Sequence, residues 1–253
     1  MGIQKTEGIV LRRQELRETS LMLTFYTRGF GKITGLLKGV RGPRAPHGSS
    51  ALELFAHDGI VFYERKQSDI YTVSQCDLLE FFSPLRSDLE RLAYAIYLLE
   101  LLDSVTALGD KNTGIFELLL NSLRLLEGDS SPRRVARVFE IKLLKLLGIM
   151  PDFDGPCANC KAEIADGARF SPINGSMLCR ACSGRDAASL PLLPGTIKFI
   201  GHIKDSPFGQ VSRIKVSHKV GRELEMVLRR FLNFHIGRRL KTLDFLKSAG
   251  LAR

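Results

Sequence analysis

Over the first eighty residues apolar and polar positions alternate in short runs. Residues 6–12, 20–27, 32–38, 60–64 and 70–74 are rich in β-branched and aromatic side chains and are bounded by polar or glycine-containing stretches. That is the period-two signature of strands. Five such runs with no helical period among them predict a small closed barrel, and a five-stranded oligonucleotide-binding (OB) barrel is the economical choice. The period changes after Pro84. Leu85, Leu89, Leu92, Ala93, Ile96, Leu99 and Leu102 fall at helical spacing, as do Ile115, Leu118, Leu119 and Leu126. A third helix is expected from Ser131 as N-cap and Pro132 in the first turn, through Val135, Phe139 and Leu143, to a stop at Gly148. Thr196–Ile203 reads as a short helix. His218–Ile236 reads as a strongly amphipathic one, with Val220, Leu224, Val227, Leu228, Phe231 and Leu232 on one face. The expected class is α+β: an N-terminal OB-type barrel over residues 1–80, then a helical domain over 81–253 with an inserted cysteine-bearing element at 154–185.

The insertion holds the most specific chemistry in the chain. Cys157-x-x-Cys160 and Cys179-x-x-Cys182 are two CxxC pairs separated by 18 residues, the spacing at which two thiolate knuckles close on one tetrahedral metal ion. Between them Arg169–Ile173 and Ser176–Cys179 flank Asn174-Gly175, which predicts a hairpin with a type I′ turn. A zinc ribbon with one structural Zn²⁺ is the expectation, because four thiolates leave no open position for catalysis. A redox dithiol pair or unmetallated thiols are the rival readings. Cys76, between Val73 and Leu78, is expected to be a buried free thiol.

Charge sharpens the picture through its distribution. The chain of 253 residues carries a formal +10, and residues 183–253 hold 14 Lys and Arg against 5 Asp and Glu, a net of +9. In the first region no acidic residue occurs between Glu18 and Glu53, while Arg28, Lys32, Lys38, Arg41 and Arg44 do. Two basic surfaces facing a polyanion follow. The loop Lys38–Ser50 punctuates its cations with glycine and proline and so packs no core. Phosphate contacts from Lys38, Arg41 and Arg44 are therefore expected, with a solvated connector as the alternative. Arg229, Arg230, Arg238, Arg239 and Lys241, on or just after the amphipathic helix, form the second candidate surface, and a solvated helix face is the competing reading. Arg133, Arg134 and Arg137 cluster beside Val135 and Val138, a basic rim next to an apolar strip that suits an acidic peptide ending in a hydrophobic residue, with a solvated helix start as the competing reading.

Catalysis finds no support in the pattern. His47, His57, His202, His218 and His235 belong to no nucleophile or metal motif, and GxxxxGK[ST] is absent. The chain is expected to be a non-enzyme. No run approaches the roughly 18 apolar residues of a membrane span, and Met1–Arg13 lacks the apolar core of a signal peptide, so cytoplasmic residence with no membrane partner is expected.

Several stretches together resemble the RecO family of bacterial recombination mediators and DNA repair proteins, over nearly the whole chain. Gly8–Arg13 followed by Glu18–Leu23 looks like that family's opening strands, and Lys38-Gly39-Val40-Arg41 is similar to its lysine-glycine-x-arginine loop. Arg137–Glu140 with Leu146-Leu147-Gly148 resembles its central helix. The four cysteines match its zinc-bearing branch, and His235-Ile236-Gly237 with Leu240-Lys241-Thr242 resembles its closing helix and tail. The resemblance implies an OB barrel, a helical domain and a structural zinc element in a nucleoid-associated bacterial protein. It also implies binding of single- and double-stranded DNA, annealing of complementary strands, and help in loading RecA onto DNA coated by single-strand-binding protein. The implied partners are RecR and the acidic C-terminal tail of single-strand-binding protein. A ribosome- or RNA-associated structural protein is the alternative from a different class.

Overall fold

Strand β1 (Ile3–Leu16) begins a five-stranded ladder with β2 (Ser20–Thr27), β3 (Gly31–Leu37), β4 (His57–Tyr63) and β5 (Ile70–Glu80). The computed structural model describes every residue except 1, 17, 41–51, 64–68, 129, 165, 166, 212–216, 238, 252 and 253. The strand order β1-β2-β3-β5-β4 closes on itself. β1 pairs antiparallel with both β2 and β4, while β3 meets β5 in parallel at Thr34–Leu36 against Ile70–Thr72. This is the five-stranded OB topology expected from the period-two runs. β1, β4 and β5 differ in extent from the runs that predicted them, with β5 reaching Glu80. Their ends are set by ladder partners, and two register shifts in the β4–β5 ladder let the longer strand keep its pairing.

Alternation places Val10, Leu21, Leu23, Phe25, Ile33, Leu37, Ile60, Phe62, Val73 and Cys76 inside the barrel. Phe30 and Tyr71 set their rings in T-shaped contact with Phe62, at 5.2 and 5.0 Å. Two glycines are required by close approach. A Cβ on Gly35 would meet Val73 Cγ2 at 2.4 Å, where β3 closes onto β5. Gly31, at φ 65°, would place a Cβ 2.2 Å from the Asp110 carbonyl oxygen.

Helices α1 (Ser83–Ser87), α2 (Leu89–Val105) and α3 (Thr113–Glu127) follow. The single helix expected after Pro84 is broken at Asp88, an extended residue whose carboxylate accepts from Arg91 N at 2.9 Å and so starts α2 afresh. Asn112 caps α3 in the same way through Ile115 N at 3.2 Å. By compactness the barrel, α1–α3 and residues 240–252 form one unit. A C-terminal helix, α9 (Lys241–Ser248), belongs to it and buries Leu243 and Leu246.

Residues 133–239 form the second unit. It contains α4 (Pro132–Leu146), the cysteine element with β6 (Arg169–Ser171), β7 (Ser176–Leu178) and β8 (Leu190–Pro191), and the helices α5 (Arg180–Ser183), α6 (Pro194–Asp205), α7 (Phe208–Val211) and α8 (His218–Ile236). Lys142 and Lys145 of α4 donate to the Lys204 carbonyl at the C-terminus of α6, at 3.2 and 2.9 Å, where cations complement the helix dipole. The ribbon hairpin departs from its expectation. Ser171 pairs with Ser176, so the loop has four residues and not the two of a type I′ turn, and only Gly175 takes positive φ. Ser171 Oγ accepts from Asn174 N at 3.2 Å and shapes the wider loop.

Candidate nucleic-acid interface and metal centre

The cysteine element brings all four predicted ligands together. The Sγ atoms of Cys157, Cys160, Cys179 and Cys182 lie within 4.8 Å of one another, and Cys160 Sγ and Cys179 Sγ are 3.8 Å apart. A tetrahedron with metal–sulfur arms of about 2.3 Å has edges of about 3.8 Å, so the donor set fits one metal ion. Local backbone creates the fit. Lys161, in the left-handed region at φ 62°, lets its N–H bond the Cys157 carbonyl at 2.9 Å, and Cys157 N donates to Ala162 O at 2.9 Å. Cys179 precedes the short helix α5, which carries Cys182 three residues on. The Cys157 thiol is held down at about 6 by backbone N–H donors of Cys160 and Cys179, as a metal-binding thiolate requires. The Cys182 thiol is pushed up to about 12, chiefly by hydrogen bonds it shares with the Cys179 and Cys160 sulfurs. Cys76 is buried and outside any disulfide, in line with the expected buried thiol.

The predicted cations separate into three groups. Lys38, at the end of β3, is exposed. Val40 N donates to Thr19 O at 2.9 Å, which ties the start of the following loop beside the β1–β2 turn. Arg41 and Arg44 of that loop, and Arg238, lie outside the described residues.

A second group turns inward, contrary to its assignment to a phosphate-facing surface. Lys32 is buried, its Nζ 2.8 Å from the Asp103 carbonyl and 3.2 Å from its carboxylate, so its charge is neutralised by α2. Arg28 pairs with Glu7 and with Glu117 of α3 and lies 4.7 Å from the Phe116 ring centroid. Arg229 pairs with Glu225 one turn earlier at 2.5 Å, both side chains nearly enclosed. Lys32 and Arg229 hold their carboxylates at short range in a low-dielectric setting, where an internal pair outweighs an exposed phosphate contact, while Arg28, 37% exposed, is engaged by two carboxylates at the surface.

The third group stands at surfaces. Arg230, Arg239 and Lys241 are exposed, Lys241 at the start of α9. In α4, Arg133 and Arg134 are half-buried, while Arg137 is buried and bound to Glu140 at 2.7 Å. Pattern reading missed the exposed arginines of the β1–β2 hairpin, Arg12 and Arg13, and the cations Lys219 and Arg222 of α8. A helical wheel of α8 would have exposed the latter pair. The former lie on the part of β1 that extends past the apolar run.

Arg28 also belongs to a wider network on the first unit. His57, buried in β4, sets Nε2 3.1 Å from Glu7 and Nδ1 3.2 Å from Glu80, and Arg124 of α3 binds the same Glu80. Hydrogen bonds from Arg28 and His57 overcome the desolvation of Glu7 and hold its carboxyl below the usual range. Arg124, helped by His57, does the same for Glu80. These hydrogen bonds and the Arg28–Glu117 and Arg124–Glu80 ion pairs fasten α3 to the barrel.

A closed OB-type barrel followed by helices, with four clustered cysteines able to hold a metal ion, defines an OB-barrel protein with a helical part that carries a candidate metal centre. The family model described as "Recombination protein O N terminal" matches residues 1–82, and that described as "Recombination protein O C terminal" matches residues 86–244. The DNA repair protein RecO of Moorella thermoacetica is 35% identical over 251 residues, covering 98% of this chain and 92% of that protein. Those of Acetivibrio thermocellus and Desulforudis audaxviator are 32% and 34% identical, with 98% of each chain covered. The chain belongs to the RecO family of DNA repair proteins. No helix among the described residues is long and apolar enough to cross a membrane.

Proposed function

We propose that the protein is a non-enzymatic recombination mediator. It binds single- and double-stranded DNA, anneals complementary strands and, with RecR, helps RecA load onto DNA coated by single-strand-binding protein. The observation that carries this reading is the OB barrel of a RecO-family chain whose loop after β3 starts from exposed Lys38 and continues through Arg41 and Arg44 without an acidic residue before Glu53. Two strands repel as polyanions, and a protein that neutralises both lowers the barrier to their pairing. The loop takes one strand. The exposed cations Arg230 and Arg239 of the second unit serve the other. Arg133 and Arg134 on α4 are the candidates for the acidic tail of single-strand-binding protein. Such work belongs in the bacterial cytoplasm, at the nucleoid.

Zinc is the ion the four thiolates select, since soft sulfur donors in tetrahedral array favour it and leave no water position. When bound it supplies structure by joining the two knuckles, and Cys157, Cys160, Cys179 and Cys182 are the residues that hold it.

The test replaces Lys38, Arg41 and Arg44 with alanine. Binding is expected to weaken for every DNA sequence, and the slope of log affinity against log salt to fall by about 0.7 per lost contact on single strands. An unchanged slope removes the loop from the interface, and an inability of the wild-type chain to anneal complementary oligonucleotides removes the function.

A further inference from the structure

Helix α8 carries an exposed face whose composition the loop site does not explain. Ser217 caps its start, accepting from Val220 N at 3.3 Å. Leu224, Val227, Leu228, Phe231 and Leu232 bury one side. Both carboxylates of the helix are engaged. Glu223 accepts from Leu193 N at 2.9 Å and from the Thr196 hydroxyl, which holds the start of α6, and Glu225 is paired with Arg229. Lys219, Arg222, Met226, Arg230 and Phe234 are exposed and separated by steps of three and four, so they align on one face, with Asn233 beside Phe234. From Lys219 to Phe234 the stripe spans roughly 22 Å at 1.5 Å per residue.

Two members of this stripe are out of place on a merely solvated surface. Met226 is 38% and Phe234 54% exposed. Phe234 makes a T-shaped contact with His235, at 5.3 Å and 76°, and His235 in turn lies 4.1 Å from the Phe231 ring of the buried side. His235 thus buttresses an aromatic ring that keeps over half its surface in solvent.

We propose that this face of α8 binds a short stretch of single-stranded nucleic acid, with Lys219, Arg222 and Arg230 on phosphates and Phe234 stacked on an unpaired base. The inference rests on the DNA-binding reading above and deepens it by assigning a second surface and its preferred ligand. Lys219, Arg222 and Arg230 are exposed and make no ion pair among the described residues, while Glu223 and Glu225, the carboxylates within a turn of them, are bound to the start of α6 and to Arg229, so the face calls for an extended polyanion. An exposed ring adds to affinity only where a base face is free, which a paired duplex does not offer. An acidic peptide fits less well. Its apolar side chains require a groove, and Met226 and Phe234 project from the convex side of a helix.

The chain contains no tryptophan, so Phe234→Trp installs a single indole at the proposed contact. Titration of this full-length variant with an oligothymidine of about 20 nucleotides at low salt is expected to quench its emission by about half or more, as base stacking on indole does. Duplex DNA of equal length and polyglutamate are expected to quench far less. Adding Arg222→Gln and Arg230→Gln to the same background is expected to weaken the oligothymidine titration about three- to tenfold and to lower its salt slope by about 1.4. Thermal melting alongside verifies that each variant is folded. If the Phe234→Trp protein retards oligothymidine in a gel shift yet shows no quenching, the α8 site is overturned while the DNA-binding function stands. Equal quenching by polyglutamate overturns it in favour of an acidic peptide. If even the wild type retards no oligonucleotide, both readings fall together.

Discussion

Asp58 shows how far one side chain can depart from its type. It lies two residues before Ile60 in β4, so alternation points it into the barrel, where it is fully buried with neither carboxylate oxygen hydrogen-bonded at good geometry. Burial drives its carboxyl up to about 8, with the nearby Cys76 thiol offsetting part of the shift and Asp77 adding to it. In the unfolded chain the same group titrates near 3.8. The folded state therefore holds the proton more tightly. Its contribution is fully present below about pH 4 and is lost as pH rises toward 8. Asp58→Asn, which cannot ionise, is expected to gain melting temperature relative to the wild type progressively between pH 5 and pH 8. A difference that stays constant across that range would show the carboxyl to be ionised throughout. The inward position was legible from the period-two pattern. That the Cys76 thiol is its nearby polar neighbour was not, because it depends on which side chains line the interior.

Among the elements, α9 is one that the local pattern did not reveal. Its eight residues, Lys241–Ser248, follow Leu240, which offers no side-chain cap, and Gly237 in the left-handed region ends α8 only a few residues earlier. The missing cap comes from α2. The Glu100 carboxylate accepts from Lys241 N at 2.8 Å and Thr242 N at 2.9 Å, and from the Thr242 hydroxyl as well. Tyr94, also on α2, donates to the Leu251 carbonyl at 3.3 Å, so one helix holds both ends of the C-terminal segment. Glu100→Ala is expected to cost about 1–2 kcal/mol in urea unfolding, the value of a good cap. It should also raise hydrogen exchange over 241–248 while leaving the barrel strands protected. Uniform exchange across the unit would instead mean that α9 is held by Leu243 and Leu246 alone. Elements with strong internal periods behaved differently: α8 spans His218–Ile236 as its wheel predicts, because nineteen residues of amphipathic pattern outweigh any local ambiguity.

For the molecule as a whole, the metal is expected to matter to one unit. The four thiols, α4 and α8 all lie within residues 133–239, and the barrel lies within the other. Purified protein is expected to contain one zinc per chain. Its removal by a strong chelator, or Cys157→Ser, is expected to lower the melting temperature of the 133–239 unit, since thiolate coordination free energy is folding free energy. The factor by which Lys38→Ala weakens DNA binding should be the same with and without the metal. A metal-free wild type of unchanged stability would count against the structural role, and a Lys38 effect that disappears on chelation would tie the metal to the barrel loop.

The five barrel strands and the long amphipathic helices, the four clustered cysteines and the lopsided charge were readable from the chain, because each is written in spacing over a few tens of residues. Which cations stay available was decided by tertiary structure. Lys32 and Lys38 look alike in sequence, six positions apart and both followed by small or β-branched neighbours. Only Lys32 meets Asp103, 71 residues away. A charge is neutralised by whatever lies within a few ångströms in space, and separation along the backbone carries no record of that distance.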